Sequence, residues 1–216
     1  CTPEGEPFYV GTYFPPEPRG NTPSFAGLCE RIATSWGDAE QRAQMVERAA
    51  QWSASARDEL ESVPAGADDP PEATLLDETA AAAMRGVDHE HGGFGSGGPK
   101  FPMPGRVDLL LRSGAQTGRR ELLTAATKTL DGMASGGMYD QVGGGFHRYA
   151  VDRSWTIPHF EKMLYDNAEL PMVYLDAYRL TGDAAYARIA GESLRFLDRE
   201  LRHPDGGFFS TLDARS

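Results

Sequence analysis

Cysteine is nearly missing from this chain: Cys1 and Cys29 are the only two in 216 residues. So sparse a pair gives no disulfide framework and, without a CxxC spacing, no dithiol redox centre. Positive charge is also short. Lys and Arg number 21 against 32 Asp and Glu, a formal net charge of -11. No basic stripe is left to track phosphates, so nucleic acid is excluded as a general partner and anionic membrane surfaces are disfavoured. No apolar run approaches the roughly 18 residues of a membrane span, and the start lacks the basic and apolar regions of a secretory signal. A phosphate loop of the GxxxxGK[ST] type does not occur, and Asp88, His89 and His91 match no metal-site spacing. No cofactor and no metal are therefore expected, and a cytoplasmic location is the default.

What is present is a globular composition, 40% hydrophobic and 25% charged, on a chain long enough for one or two domains. Residues 1–14 hold two short strand candidates around the turn-forming EGEP, and the Pro-rich PPEPRGNTP follows. Helical spacing then predicts helices over 24–36 and 39–60. Together these segments read as the tail of a small α/β domain occupying residues 1–61. Residues 62–72, rich in Pro, Asp and Ala and without periodicity, read as a linker.

From residue 73 to 216 the pattern is helical, with helices expected at 73–87, 105–114, 119–134, 157–180 and 183–202. TGR at 117–119 and TGD at 181–183 are short corners between antiparallel helices. HGGFGSGGPKF from His91, GGMYDQVGGGF from Gly136 and DGGFFS from Asp205 place a glycine pair before an aromatic residue after successive helical units. That recurrence predicts a toroid or solenoid of helical hairpins whose remaining repeats lie in further polypeptide.

The chemistry concentrates in GGMYDQVGGGFHRYAVDRSWTIPHFEKMLYDNA, residues 136–168. Its glycines suit a tight crossover. His147 and His159 are the titratable candidates for proton transfer, with Glu161 and Asp166 as acids beside them. Asp140, Gln141, Arg148 and Asn167 offer polar ligand contacts, and Tyr149, Trp155 and Tyr165 offer rings that can stack on a sugar. Each has a bland alternative as a core or surface residue. If a helix starts near Ile157, Thr156 caps it, Pro158 sits in its first turn, Glu161 and Tyr165 share a face, and Lys162 pairs with Asp166.

TPEGEPFYVGTYFPP, GGFGSGGPKFP, the long central motif and GGFFSTLDARS together resemble the family of spermatogenesis-associated protein 20 and the bacterial thioredoxin-domain proteins of the YyaL type. The resemblance covers nearly the whole chain. It implies that the fold is mainly α: residues 73–216 form the first part of an (α/α)6 toroid of the six-hairpin glycosidase-like type. The C-terminal part of a thioredoxin-like α/β domain precedes it. It also implies that the redox cysteine motif lies before Cys1, and that Arg215 stands where relatives carry an acid. The expected ligand is a carbohydrate or another small polar molecule, with epimerase, isomerase or hydrolase chemistry as the leading reading. The alternative is a non-catalytic toroid in a thiol-redox or protein-quality-control binding protein. The remainder of the same polypeptide is expected to complete both domains.

Overall fold

The computed structural model describes residues 1–11, 13–61 and 74–214, which divide into two compact units, Cys1–Pro70 and Pro71–Ser216. The expected linker at 62–72 and Arg215 lie outside the described residues.

In the first unit the EGEP turn forms, with the Thr2 N–H donating to the Glu6 carbonyl at 2.8 Å and Gly5 at φ 89°. The two strands expected to flank it do not: no strand occurs among the described residues of 1–24. Two short segments around one turn make a marginal sheet. Their aromatic rings instead pack on one another and on the first helix, Phe14 against Phe25 at 5.8 Å and Phe8 against Trp36 at 5.9 Å. Helix α1 (Phe25–Gly37) starts where Ser24 Oγ accepts the Gly27 N–H at 3.1 Å. Helix α2 (Ala39–Glu61) starts where Asp38 Oδ1 accepts the N–H groups of Glu40 and Gln41.

The second unit contains α3 (Thr74–Met84), α4 (Pro104–Thr117), α5 (Arg120–Ser135), α6 (Leu164–Thr181) and α7 (Ala184–Phe196), the last continued by a π turn at Leu197–Leu201. Helix α4 packs on α3, α5 and α6, and α6 packs on α7. The dry layer between them holds Leu110, Leu122, Leu130, Met133, Tyr174 and Ile189. Both corners behave alike. Gly118 and Gly182 end α4 and α6 in the left-handed region at φ 71° and 75°. The threonine before each, Thr117 or Thr181, donates back to the carbonyl four residues earlier at 2.6 or 2.8 Å.

The first two glycine-pair connections share one hydrogen-bond register, and the third repeats its pattern in a loop one residue shorter. The N–H of Asp88, Asp140 or His203 donates to the carbonyl of Gly93, Gly145 or Gly207, and the N–H of Gly92, Gly144 or Gly206 returns to the carbonyl of the first residue. All six glycines have positive φ, and a β-bridge brackets each loop, Val87 with Phe94, Tyr139 with Phe146 and Arg202 with Phe208. The sequence periodicity is thus a repeated backbone motif.

One expected helix is shorter. Residues 157–163 are extended rather than helical, forming β2 (Pro158–His159) antiparallel to β1 (Tyr149–Ala150), and β3 (Lys162–Met163) antiparallel to β4 (Thr211–Leu212). Thr156 therefore does not cap α6, Pro158 is not in its first turn, and Glu161 and Tyr165 are not an i,i+4 pair. Strand pairing with the flanking segments satisfies this backbone instead.

Candidate functional site

Two buried lysines organise the ground on which the candidate residues sit. Lys100 precedes α4 and donates through Nζ to Asp88 Oδ2 at 2.7 Å and to the Gly92 carbonyl at 2.6 Å. Lys162 precedes α6 and donates to Asp140 Oδ2 at 2.6 Å and to the Gly144 carbonyl at 2.8 Å. Each ammonium also lies over an aromatic ring, Lys100 over Trp155 at 5.2 Å and Lys162 over Phe196 at 4.3 Å. Each lysine thus pins its glycine loop to the entry of a central helix. Spacing alone hides these pairs, because the lysines lie 12 and 22 residues from their carboxylates. The recurring aspartate before each of the first two glycine pairs was the available signal.

Several predicted ligand contacts are consumed in this scaffold. Asp140 is the loop carboxylate: burial pushes its pKa up, but Lys162 and the N–H groups of Gly143 and Val142 outweigh that and hold it at about 2. Lys162 therefore pairs with Asp140 and not with Asp166. Gln141 Nε2 donates to the carbonyls of Ala134 and Gly136. Trp155 is 0% exposed, so it stacks on no ligand; its ring fills the space above Gly93 and Gly132, and its Nε1 donates to the His91 carbonyl at 3.0 Å. Asn167 is also fully buried. Its side chain accepts the Phe146 N–H at 2.6 Å and donates to the carbonyls of Phe146 and Met163 at 2.9 Å, tying α6 to the glycine loop. Arg153 neutralises carboxylates of the first loop, gripping Asp88 and Glu90.

The remaining candidates fall into two groups. In one, Tyr149 stacks between Phe101 at 4.9 Å and its cross-strand partner His159 at 4.7 Å. His147 meets the edge of Phe160 at 5.2 Å. Burial, then Lys162 and His159, lower the His147 pKa to about 4 against the opposing pull of Asp140, so its ring is neutral at pH 7. In the other group, Arg148 Nη1 donates to Glu161 Oε2 at 2.8 Å, and Tyr165, half exposed, lies beside the guanidinium. Asp166 opens α6 from a buried position; burial and Glu169 raise its pKa to about 7, and Arg148 opposes them. The charges that act on His147 and on Asp166 are different sets. Nδ1 of His147 and of His159, Nε of Arg148 and Oδ2 of Asp166 are buried with no hydrogen-bond partner among the described residues. Among the described residues no cluster of side chains has the make-up of a metal site, and no helix is long and apolar enough to cross a membrane.

Residues 1–56 match the thioredoxin-type family described as "Protein of unknown function, DUF255". The whole chain is 39% identical to spermatogenesis-associated protein 20 of Mus musculus and spans 28% of that protein's length. Two solved structures share the fold of the helical unit: cellobiose 2-epimerase from Spirochaeta thermophila (TM-score 0.53, 18% identity, 67% of this chain and 42% of that one) and cellobiose 2-epimerase from Bacillus thermoamylovorans (TM-score 0.55, 12% identity, 66% and 42%). The mainly helical fold is therefore that of part of a six-hairpin glycosidase-like (α/α)6 toroid, preceded by sequence of thioredoxin-like type. The resemblance carried by the motifs holds from end to end: the chain is similar over its full length to the spermatogenesis-associated protein 20 family and corresponds to just over a quarter of such a protein.

Proposed function

We propose that this segment is a non-catalytic part of a helical toroid in a thiol-redox or protein-quality-control binding protein, with redox chemistry supplied by the thioredoxin-like portion. One observation carries this reading. The residues that sequence nominated for ligand contact are largely spent on the scaffold: Asp140 holds Lys162, Gln141 and Asn167 hold backbone groups of the loop and its flanks, and Trp155 is buried. The neutral imidazole of His147, packed against Phe160, is consistent with a wall residue. In the full-length protein, replacing an upstream dithiol should abolish thiol–disulfide exchange with a model disulfide, and His147→Ala should leave the exchange rate within about twofold. Loss of exchange in His147→Ala with retention in the dithiol variant would overturn the reading.

A second reading rests on the unpartnered atoms of His147, His159, Arg148 and Asp166 around one hairpin and helix start. A hydroxylated ligand both donates and accepts, and so suits such a set. This is the carbohydrate reading, with the shared epimerase fold as analogy only. Calorimetric titration of the full-length protein with a panel of aldoses and disaccharides tests it; heats that never saturate would remove it.

A further inference from the structure

The two glycine loops each form one wall of a groove whose other wall is the second helix after the loop, α5 or α7. A Cβ on Gly92 would meet the Lys128 carbonyl of α5 at 2.6 Å, and one on Gly144 would meet the Glu192 carbonyl of α7 at 3.0 Å. Glycine is needed at both places, and the contacts set α5 and α7 in register: Lys128, Asp131 and Ser135 correspond to Glu192, Arg195 and Arg199. The first groove, of about 460 Å³, carries Lys128 and Asp131 with Glu90 and is walled on one side by Ser154 and Thr156. The second, of about 250 Å³, carries Arg188, Arg195 and Arg199 around the single carboxylate of Glu192.

That carboxylate is already satisfied. Arg188 Nη1 donates to Glu192 Oε2 at 2.8 Å, and the Tyr139 hydroxyl donates to the same oxygen. Arg199 stands on the π turn, an element that re-aims side chains. It is fixed by Nη2 donating to the Gly143 carbonyl at 2.7 Å and by Nε donating to Glu200 Oε1 at 2.6 Å, which leaves Nη1 to spare. Arg195 has no carboxylate partner among the described residues. Its counterpart Asp131, by contrast, accepts the Tyr186 hydroxyl at 2.7 Å. The aromatic slot beside this loop is also filled differently. In the first repeat the 152–157 turn delivers Trp155 over Gly93, whereas in the second α7 itself delivers Phe196 over Gly145. The second groove therefore does not depend on an inserted tryptophan to complete its wall.

We propose that the groove between the Gln141–Gly144 loop and α7 is a binding site for a small oxyanion of phosphate size, held by Arg195 and Arg199 with Arg188 at its rim. In a chain of net charge -11, three guanidinium groups facing one polar recess concentrate anion-binding capacity there. Their planar forks match tetrahedral and planar oxyanions. The Gly143–Gly145 run builds the recess by letting the loop lie flat on α7, giving the central motif a task besides crossover geometry.

Titration of the full-length protein with inorganic phosphate, followed calorimetrically at low and moderate salt, tests the site. The expected result is saturable one-site binding that weakens as salt rises. Arg195→Asp combined with Arg199→Ser, which installs the residues of the first groove, should weaken it by at least about tenfold, the scale of two lost charge-assisted contacts. Arg195→Gln alone, at an exposed position where folding is undisturbed, should weaken it by about threefold or more. Arg202→Gln, which removes a surface partner of Asp198 outside the groove, should change nothing. Absence of saturable binding in the unmodified protein, affinity undiminished in Arg195→Gln, or an equal loss in Arg202→Gln would each overturn the proposal.

Discussion

The Asp88 and Asp140 loops have the same backbone register and the same lysine clamp, yet their surroundings differ. At the first, Asp88 and Lys100 are both 0% exposed, and Arg153 adds a forked contact at 2.7 and 2.8 Å. Lys100 and Arg153 together drive the Asp88 carboxyl far below its usual range, outweighing the opposing effect of burial. At the second, Asp140 is 27% exposed, has Lys162 as its one cationic partner among the described residues, and borders an arginine-lined groove. The first loop is closed and serves the fold, whereas the second keeps a polar face open. Within one repeat architecture, what distinguishes a functional candidate is what the neighbouring helix contributes to the loop.

The sharpest way to break that comparison is to remove each carboxylate. Asp88→Asn leaves the Lys100 ammonium buried with the Gly92 carbonyl and the Trp155 ring, and should cost about 3–5 kcal/mol, the range for an orphaned buried charge. Asp140→Asn leaves Lys162 its contact with the Gly144 carbonyl beside a partly hydrated loop, and should cost about 1–3 kcal/mol. Chemical denaturation of the full-length protein measures both. An equal or larger loss in Asp140→Asn would show that the second loop is as closed as the first.

The helix starts differ as well: the first turn of α4 carries no acid, while that of α6 carries the buried Asp166. Its folded pKa of about 7 lies above the unfolded value near 3.8. Between those values the folded state binds more protons than the unfolded, so this group makes stability fall as pH rises from about 4 to 7. His147, lowered to about 4 from 6.5, has the opposite sign. There the unfolded state binds more protons, and stability rises with pH between about 4 and 6.5. Asp166→Asn should remove the first slope and add up to about 4 kcal/mol at pH 8, seen in denaturation midpoints across the pH range. A variant whose pH profile parallels the unmodified protein would show that Asp166 is ionised and solvated at neutral pH.

Much of this contrast was legible before the structure. Helix positions, both TG corners and the glycine-aromatic recurrence follow from periodicity and from residues with restricted backbone preferences. The partners in the clamps were not legible, because Lys100 and Lys162 reach their aspartates through tertiary folding, and a lysine in sequence reads as surface. The extended run 157–163 is not legible in sequence because its residues tolerate helix, and only pairing with 149–150 and 211–212 decides otherwise. In sequence, Trp155 and Asn167 suggest ligand contacts, because a ring can stack and an amide can hydrogen-bond. Their burial is a property of the neighbours, namely Gly93 and Gly132 for the indole and Phe146 for the amide.

The glycine pairs offer the smallest and most local test, because one backbone conformation occurs with and without close packing. Gly93 has φ 76°, and a Cβ there would lie 2.4 Å from the Trp155 ring; Gly207 has φ 77° with nothing within 4 Å. Gly93→Ala should therefore combine backbone strain with steric overlap and cost about 2–3 kcal/mol, whereas Gly207→Ala should carry the backbone term alone, about 1 kcal/mol. The difference between the two denaturation midpoints isolates the contribution of the indole above the first loop. Trp155→Ala in the Gly93→Ala background should then recover part of the added cost, since the overlapping ring is gone, and Gly207→Ala should show no such coupling. If both alanine variants behave alike, the closure of the first loop does not depend on that contact, and the distinction between a sealed and an open loop must rest on the Asp88 and Arg153 pairing alone.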